Sequence, residues 1–240
     1  MTRRAALFGA SGGIGAALAE QLCADPQWDE VWLGARRLPA VTAPTARAFA
    51  FDSDDEASLI AAAQQIGAGG ALDLVFVATG LLHRSGLPHP EKSYRALDGA
   101  AMAELYRVNA IGPALIAKHL LPLLPRSRRA VFAVLSARVG SISDNRLGGW
   151  HSYRAAKAAL NMLIASFAIE CRRSHPHAVI AALHPGTVDT ALSAPFQRGL
   201  REGQLNSPAV SAAAMLAVLD KLQPDDSGGL FAWDGARLAW

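Results

Sequence analysis

Tyr153 and Lys157 stand four residues apart in the run Tyr-Arg-Ala-Ala-Lys. In a helix that spacing puts both side chains on one face, one turn apart. An unperturbed phenol titrates at about 10, which makes it a sluggish proton donor or acceptor at neutral pH, and a neighbouring cation favours its ionised form. Such a pair can exchange a proton with a substrate oxygen while hydride moves to or from the adjoining carbon. Alone, the pair reads equally as a surface helix contact. What separates the two readings is the scarcity of its members, 3 tyrosines and four lysines in the chain, and the glycine turn upstream.

That turn, Gly9-Ala10-Ser11-Gly12-Gly13-Ile14-Gly15, follows the first apolar run and opens the first Ala-rich stretch. A tight strand-to-helix turn of small residues brings backbone amides against a pyrophosphate at the positive end of a helix, where side chains would block the approach. Beyond the second apolar run the chain reads Leu33-Gly34-Ala35-Arg36-Arg37. In dinucleotide folds a carboxylate here takes the adenosine ribose, and a basic residue suits a 2′-phosphate. No carboxylate is present, and a guanidinium matches phosphate bidentately. The segment therefore predicts NADP(H) over NAD(H), through Arg36 first and Arg37 second.

The elements that must hold these groups follow from hydrophobic patterning. Short apolar runs predict strands near 4–8, 30–35, 47–51, 72–78, 130–136, 178–184 and 229–233. Between them lie helices near 13–24, 55–66, 98–124 in two pieces, 152–173 and 207–222. This alternation predicts an α/β fold: a single Rossmann-type doubly wound domain over residues 1–240, with a parallel sheet of about seven strands and helices on both faces. Ligands in such sheets sit beyond the carboxyl ends of the strands, so the irregular stretches near 81–97 and 188–206 are expected to face substrate.

Composition narrows the function further. A chain of 240 residues, 51% apolar and 18% charged, has material for a full core and is neither disordered nor fibrous. No apolar run approaches the roughly 18 residues of a membrane span, and Met1-Thr-Arg-Arg-Ala reads as no signal peptide. Cys23 and Cys171 are too few for a disulfide framework, so a cytoplasmic protein is expected. The net charge of +3 raises nucleic acid as a partner, but the 23 basic residues are scattered and not interleaved with aromatics, so none is expected. The 7 histidines form no ligand-spaced helical pair, and no metal is expected. His151 belongs against substrate or on a surface loop; Trp233 and Trp240 belong at the sheet edge, in a subunit contact or over the pocket mouth.

Taken together, the glycine turn, Asp52 after the third strand, Ala78-Thr79-Gly80 after the fourth, Asn109 in Val108-Asn-Ala-Ile-Gly112, a serine-bearing stretch after the fifth, Tyr153 with Lys157, and Pro185-Gly-Thr187 resemble the short-chain dehydrogenase/reductase superfamily. The resemblance spans nearly the whole chain. Leu135-Ser-Ala-Arg-Val-Gly-Ser-Ile142, Asp144-Asn-Arg-Leu-Gly-Gly149 and Phe231-Ala-Trp-Asp-Gly-Ala-Arg-Leu-Ala-Trp240 look most like its C-factor and sniffer-like subgroup. The resemblance implies that Asp52 contacts adenine and that Ala78, Thr79 and Gly80 lie along the cofactor. It places Pro185, Gly186, Val188 and Thr190 at the nicotinamide end, and Lys157 on the nicotinamide ribose. It also implies a homodimer acting on a small carbonyl or alcohol. Subgroup members are often carbonyl reductases or developmental-signalling proteins. The expectation is an NADP(H)-dependent carbonyl reductase, with a C-factor-like signalling or sensor protein of little catalysis as the alternative.

Two positions need separate argument. Pro113 lies four residues after Asn109 and has no N–H to bind the Asn109 carbonyl. The family uses that carbonyl to hold a water in a proton relay with the lysine, so Asn109 joins Tyr153 and Lys157 in the catalytic set; a proline kink chosen for packing is the plainer reading. The family's catalytic serine is missing, because the register from Gly140 puts Ala137 at its position. A neighbouring hydroxyl that orients the substrate oxygen is expected instead, from Ser136 by proximity, with Ser141 a close rival and Ser143 behind it.

Overall fold

The computed structural model describes residues 2–38 and 40–240. In chain order its elements are β1 (Arg4–Phe8), α1 (Gly13–Ala24), β2 (Glu30–Ala35), β3 (Ala46–Ala50), α2 (Glu56–Gly67), β4 (Leu74–Val77), α3 (Gly99–Tyr106), α4 (Gly112–Leu120) and β5 (Ala130–Leu135). There follow α5 (His151–Ser174), β6 (Ala178–His184), β7 (Thr187–Val188), β8 (Leu205–Asn206), α6 (Pro208–Lys221), β9 (Leu230–Ala232) and β10 (Arg237–Leu238). The main sheet runs β10-β9-β6-β5-β4-β1-β2-β3. All its pairings are parallel except β10 on β9, so the sheet has 8 strands where the patterning counted seven. The extra strand, two residues beyond the left-handed Gly235, is too short to show any period. The reversal of strand order between β1 and β4 opens a crevice at their carboxyl ends.

The strands are apolar because both faces are covered. Ala6 and Phe8 face a layer that includes Leu59, Ile116 and Leu160 from α2, α4 and α5. Ala5 and Leu7 face the other layer, with Leu18 of α1 and Met215 of α6. The stretch near 98–124 divides at a widened turn over Arg107–Ile111, where the Gly112 N–H reaches back five residues to the Arg107 carbonyl. Pro113, which cannot close an ordinary turn onto Asn109, sits just beyond it.

Helix starts separate the framework from the site. Asp55 caps α2 through the Ala57 N–H, Asp98 caps α3 through the Ala101 N–H, and Ser207 caps α6 through the Val210 N–H. Neither α1 nor α5 has a side-chain cap from its own N-cap residue.

Candidate active site

At the start of α1 the turn leaves no room for side chains. A Cβ on Gly15 would stand 2.0 Å from the Gly9 carbonyl oxygen, and one on Gly9, already at φ +94°, 3.0 Å from the Ala78 carbonyl carbon. Gly12 donates its N–H to Gly9, while the first-turn amides of Gly13, Ile14 and Gly15 have no intrahelical partner, as at any helix start. Thr190 packs on this turn, its Cγ2 2.8 Å from where a Gly13 Cβ would lie. Gly15→Ala is expected to cost at least tenfold in dinucleotide affinity and to lower thermal stability, because backbone must move. Calorimetric titration beside a melting curve checks it, and unchanged binding would contradict this reading.

Beside the turn lies a cavity of about 340 Å³, lined by Gly9, Ser11, Gly12, Arg36, Asp52, Ala78, Thr79, Gly80 and Val108 among others. A second cavity adjoins it, lined by Ser11, Arg36 and Arg37. The Thr79 hydroxyl is buried without a hydrogen-bond partner, which points to a ligand group there. Glycine cradle, orphaned hydroxyl and arginine-lined side cavity fit a phosphorylated dinucleotide. Sequence reasoning missed the rim, where Arg107 pairs with Asp54 and Glu104, and Arg84 with Glu104 at 2.6 Å. Arg107–Glu104 is a local pair three residues apart, whereas Arg107–Asp54 and Arg84–Glu104 form only when segments far apart in the chain meet.

Asn109 is fully buried and its amide is saturated: Nδ2 donates to the carbonyls of Leu81 (2.7 Å) and Leu105 (2.9 Å), and Oδ1 accepts from the Leu81 N–H (3.0 Å). The side chain thus clamps the loop after β4 to α3. Lys157 Nζ donates to the Leu135 carbonyl at 2.8 Å and lies 3.8 Å from where a Gly80 Cβ would stand, at the edge of the cleft. Gly140 permits this approach of strand end to helix, since its Cβ would meet Lys157 Cβ at 2.8 Å. Tyr153, 8% exposed, packs with Leu82 and Leu105, and around them lie Ala137, Val139, Trp150, Leu192 and Phe196. The stretches near 81–97 and 188–206 therefore meet over Tyr153, where His83 Nε2 lies 3.0 Å from the Leu192 carbonyl oxygen.

Burial dominates the electrostatics of the pair. It pushes the Tyr153 phenol up from its ordinary value and the Lys157 amine down to about 7, so the expected lowering of the phenol by its lysine is not what the two side chains show here. Lys157 Nζ is 5.8 Å from the Tyr153 ring centre. A depressed amine binds fewer protons folded than unfolded between about 7 and 10.5, so stability rises with pH across that window and the burial penalty is constant below it. Replacing Lys157 with Met is therefore expected to raise the melting temperature relative to wild type most at or below neutral pH, the difference shrinking toward pH 10. Parallel thermal melts check it, and a difference flat in pH would contradict it.

The three candidate serines are each hydrogen-bonded within the protein. Ser136 Oγ donates to Asn161 Oδ1 at 2.6 Å in the interface with α5. Ser141 Oγ accepts the Asp144 N–H at 3.2 Å, and Ser143 Oγ donates to the Trp240 carbonyl at 2.6 Å. The strand-end residue that packs with Tyr153 is Ala137.

The profile of the short chain dehydrogenase family matches residues 3–200. The chain belongs to that family. Relatives of this short-chain dehydrogenase include the C-signal of Myxococcus xanthus, 34% identical over 145 residues, covering 60% of this chain and 81% of that protein. Another is the 1-hydroxy-2-glutathionyl-2-methyl-3-butene dehydrogenase of a Rhodococcus species, 31% identical over 172 residues, 72% of this chain and 70% of that one. An NADPH-bound carbonyl reductase from chicken fatty liver superposes with a TM-score of 0.84 at 27% identity, covering 100% of this chain and 94% of that one. The carbonyl reductase Sniffer of D. melanogaster shares the fold, with a TM-score of 0.85 at 21% identity and 100% of both chains covered. The chain is thus an oxidoreductase by family, with C-signal among its relatives and an NADPH-bound carbonyl reductase among the structures it resembles.

Proposed function

We propose that the protein reduces a small carbonyl compound to the secondary alcohol with NADPH. The observation that carries this reading is the buried Tyr153–Lys157 pair abutting a glycine-lined cleft with an arginine-lined side cavity. Bound NADPH supplies the hydride that adds to the carbonyl carbon. Amides at the start of α1 hold the pyrophosphate, Arg36 and Arg37 the 2′-phosphate, and Asp52 the adenine. Ala78, Thr79 and Gly80 line the cofactor's length, and Pro185, Gly186, Val188 and Thr190 hold its nicotinamide end. Tyr153 Oη gives its proton to the substrate oxygen. Burial raises the phenol further, so transfer of its proton depends on the negative charge that hydride addition develops on the substrate oxygen. Lys157 Nζ restores the proton through a water on the Asn109 carbonyl and binds the nicotinamide ribose. Cys23 and Cys171 are both free, which suits a reducing, cytoplasmic compartment; no helix is long and apolar enough to cross a membrane among the described residues. A homodimer would form through the α4–α5 face, where Ile111 and Met162 are exposed.

With Ala137 at the strand end, Tyr153 is the one hydroxyl assigned to the substrate oxygen. Ala137→Ser adds a second donor, and kcat/KM on a plain aromatic ketone is expected to rise about tenfold, a fraction of the hundredfold or more that one preorganised donor can supply. A fall in kcat/KM would instead mean that the methyl is needed for packing. The same alanine favours a second reading, a dinucleotide-binding sensor with little catalysis. A panel of aldehydes, ketones and quinones followed by NADPH absorbance separates the two: the proposal requires oxidation with at least one, and binding without oxidation across the panel would support the sensor.

A further inference from the structure

Glu91 is a carboxylate buried to 6% exposure in the loop after β4, a state that charged side chains adopt only when paired. Its partners are all at the start of α5. Oε1 accepts the Ser152 hydroxyl, Oε2 accepts the Ser152 N–H at 3.3 Å, and the Glu91 backbone carbonyl accepts the Trp150 N–H. The helix lacks a cap of its own because its N-cap residue is Trp150, held at φ 50°, ψ 40°. Trp150 is the one non-glycine residue with positive φ among the described residues, a conformation that surrounding contacts must hold in place. So a side chain 61 residues upstream supplies both the acceptor and the negative charge that this helix start requires.

The residue after Ser152 is Tyr153. Trp150, fixed by the same loop, sets its ring edge-on to Tyr153 at 6.3 Å and to Phe196 at 4.9 Å. We propose that Glu91 is a positioning residue for Tyr153: by capping α5 from the facing loop it fixes the first helical turn and the Trp150 wall together, so that the phenol is held where it meets substrate. This deepens the reading above and rests on it for the role of Tyr153. Lys157, one turn further along, is anchored independently by the Leu135 carbonyl. The rest of the cofactor cleft is lined by other elements. Loss of the cap should therefore disturb Tyr153 and leave dinucleotide binding alone.

The test compares wild type with Glu91→Ala, Glu91→Gln and Ser152→Ala in two independent measurements. In steady-state reduction, Glu91→Ala is expected to lower kcat about tenfold or more through misplacement of the phenol, with the Kd for NADPH within twofold of wild type. Glu91→Gln keeps an acceptor for Ser152 and is expected to recover most of that loss. In hydrogen exchange read by mass spectrometry without cofactor or substrate, Glu91→Ala should speed exchange of amides 150–154 roughly tenfold while the rest of α5 keeps its protection. Ser152→Ala should produce a smaller change in the same direction. Unchanged exchange at 150–154 in Glu91→Ala would overturn the proposal. So would faster exchange across the whole sheet with lost NADPH binding, which marks a general structural role; if Glu91→Ala does not fold, Ser152→Ala with exchange at 150–154 identical to wild type overturns it as well. Should the wild type reduce no carbonyl, the proposed function fails by itself, and the exchange measurement still decides whether Glu91 holds the helix start.

Discussion

Tyr153→Phe is expected to lower carbonyl reduction by about a hundredfold to ten-thousandfold, the range that a positioned general acid supplies, while NADPH binds as in wild type. The phenyl ring keeps its packing against Leu82, Leu105 and Trp150, so the substitution removes a hydroxyl and little else. A stability effect within about 1 kcal/mol is expected, since a phenol leaves few contacts behind. Steady-state kinetics, with cofactor affinity and a melting curve on the same preparation, separate lost chemistry from lost structure. Turnover within about tenfold of wild type would mean that another group donates the proton, and the assignment of Tyr153 would fall.

The second large effect concerns cofactor choice. Arg36 lines both the main cleft and the side cavity, and a hydrogen bond between a guanidinium and a phosphate contributes about 1.5–3 kcal/mol. Arg36→Ala is therefore expected to weaken NADPH binding by about ten- to a hundredfold and leave NADH nearly unchanged. Arg37, which lines the side cavity alone, should show the same direction with a smaller size. Salt gives an independent check: NADPH affinity in wild type should fall more steeply with ionic strength than in Arg36→Ala, because one charge pair has been removed. An unchanged NADPH-to-NADH ratio would remove Arg36 from the 2′-phosphate site.

Much of this was legible in the sequence because burial leaves a period. Strands covered on both faces are continuous apolar runs, and α1, after its glycine turn, starts and stops where the pattern places it, at Gly13 and Ala24. The two-residue strands β7, β8 and β10 carry no such pattern and appear only when the loops around them pack. The widened turn at Arg107–Ile111 was announced by Pro113, although the direction of the helix-widening was not. The direction of Ser136 was readable as well. Phe132 and Val134 face the α5 layer, so a period of two carries Ser136 to that face and onto Asn161, leaving Ala137 beside Tyr153. Glu91 gave no local cue, since a carboxylate just after two prolines in a polar loop is unremarkable until the fold sets it against Ser152. The long-range rim pairs, Arg84 with Glu104 and Arg107 with Asp54, escaped for the same reason, since each joins segments far apart in the chain.

The most direct test of the central claim follows an isotope. Wild-type protein is incubated with NADPH deuterated at the transferable position and with members of the carbonyl panel, and the products are read by NMR and mass spectrometry. The account requires an alcohol carrying deuterium on the former carbonyl carbon, formed by wild type and nearly absent with Tyr153→Phe. Saturating NADPH binding with no deuterated alcohol from any carbonyl would contradict it.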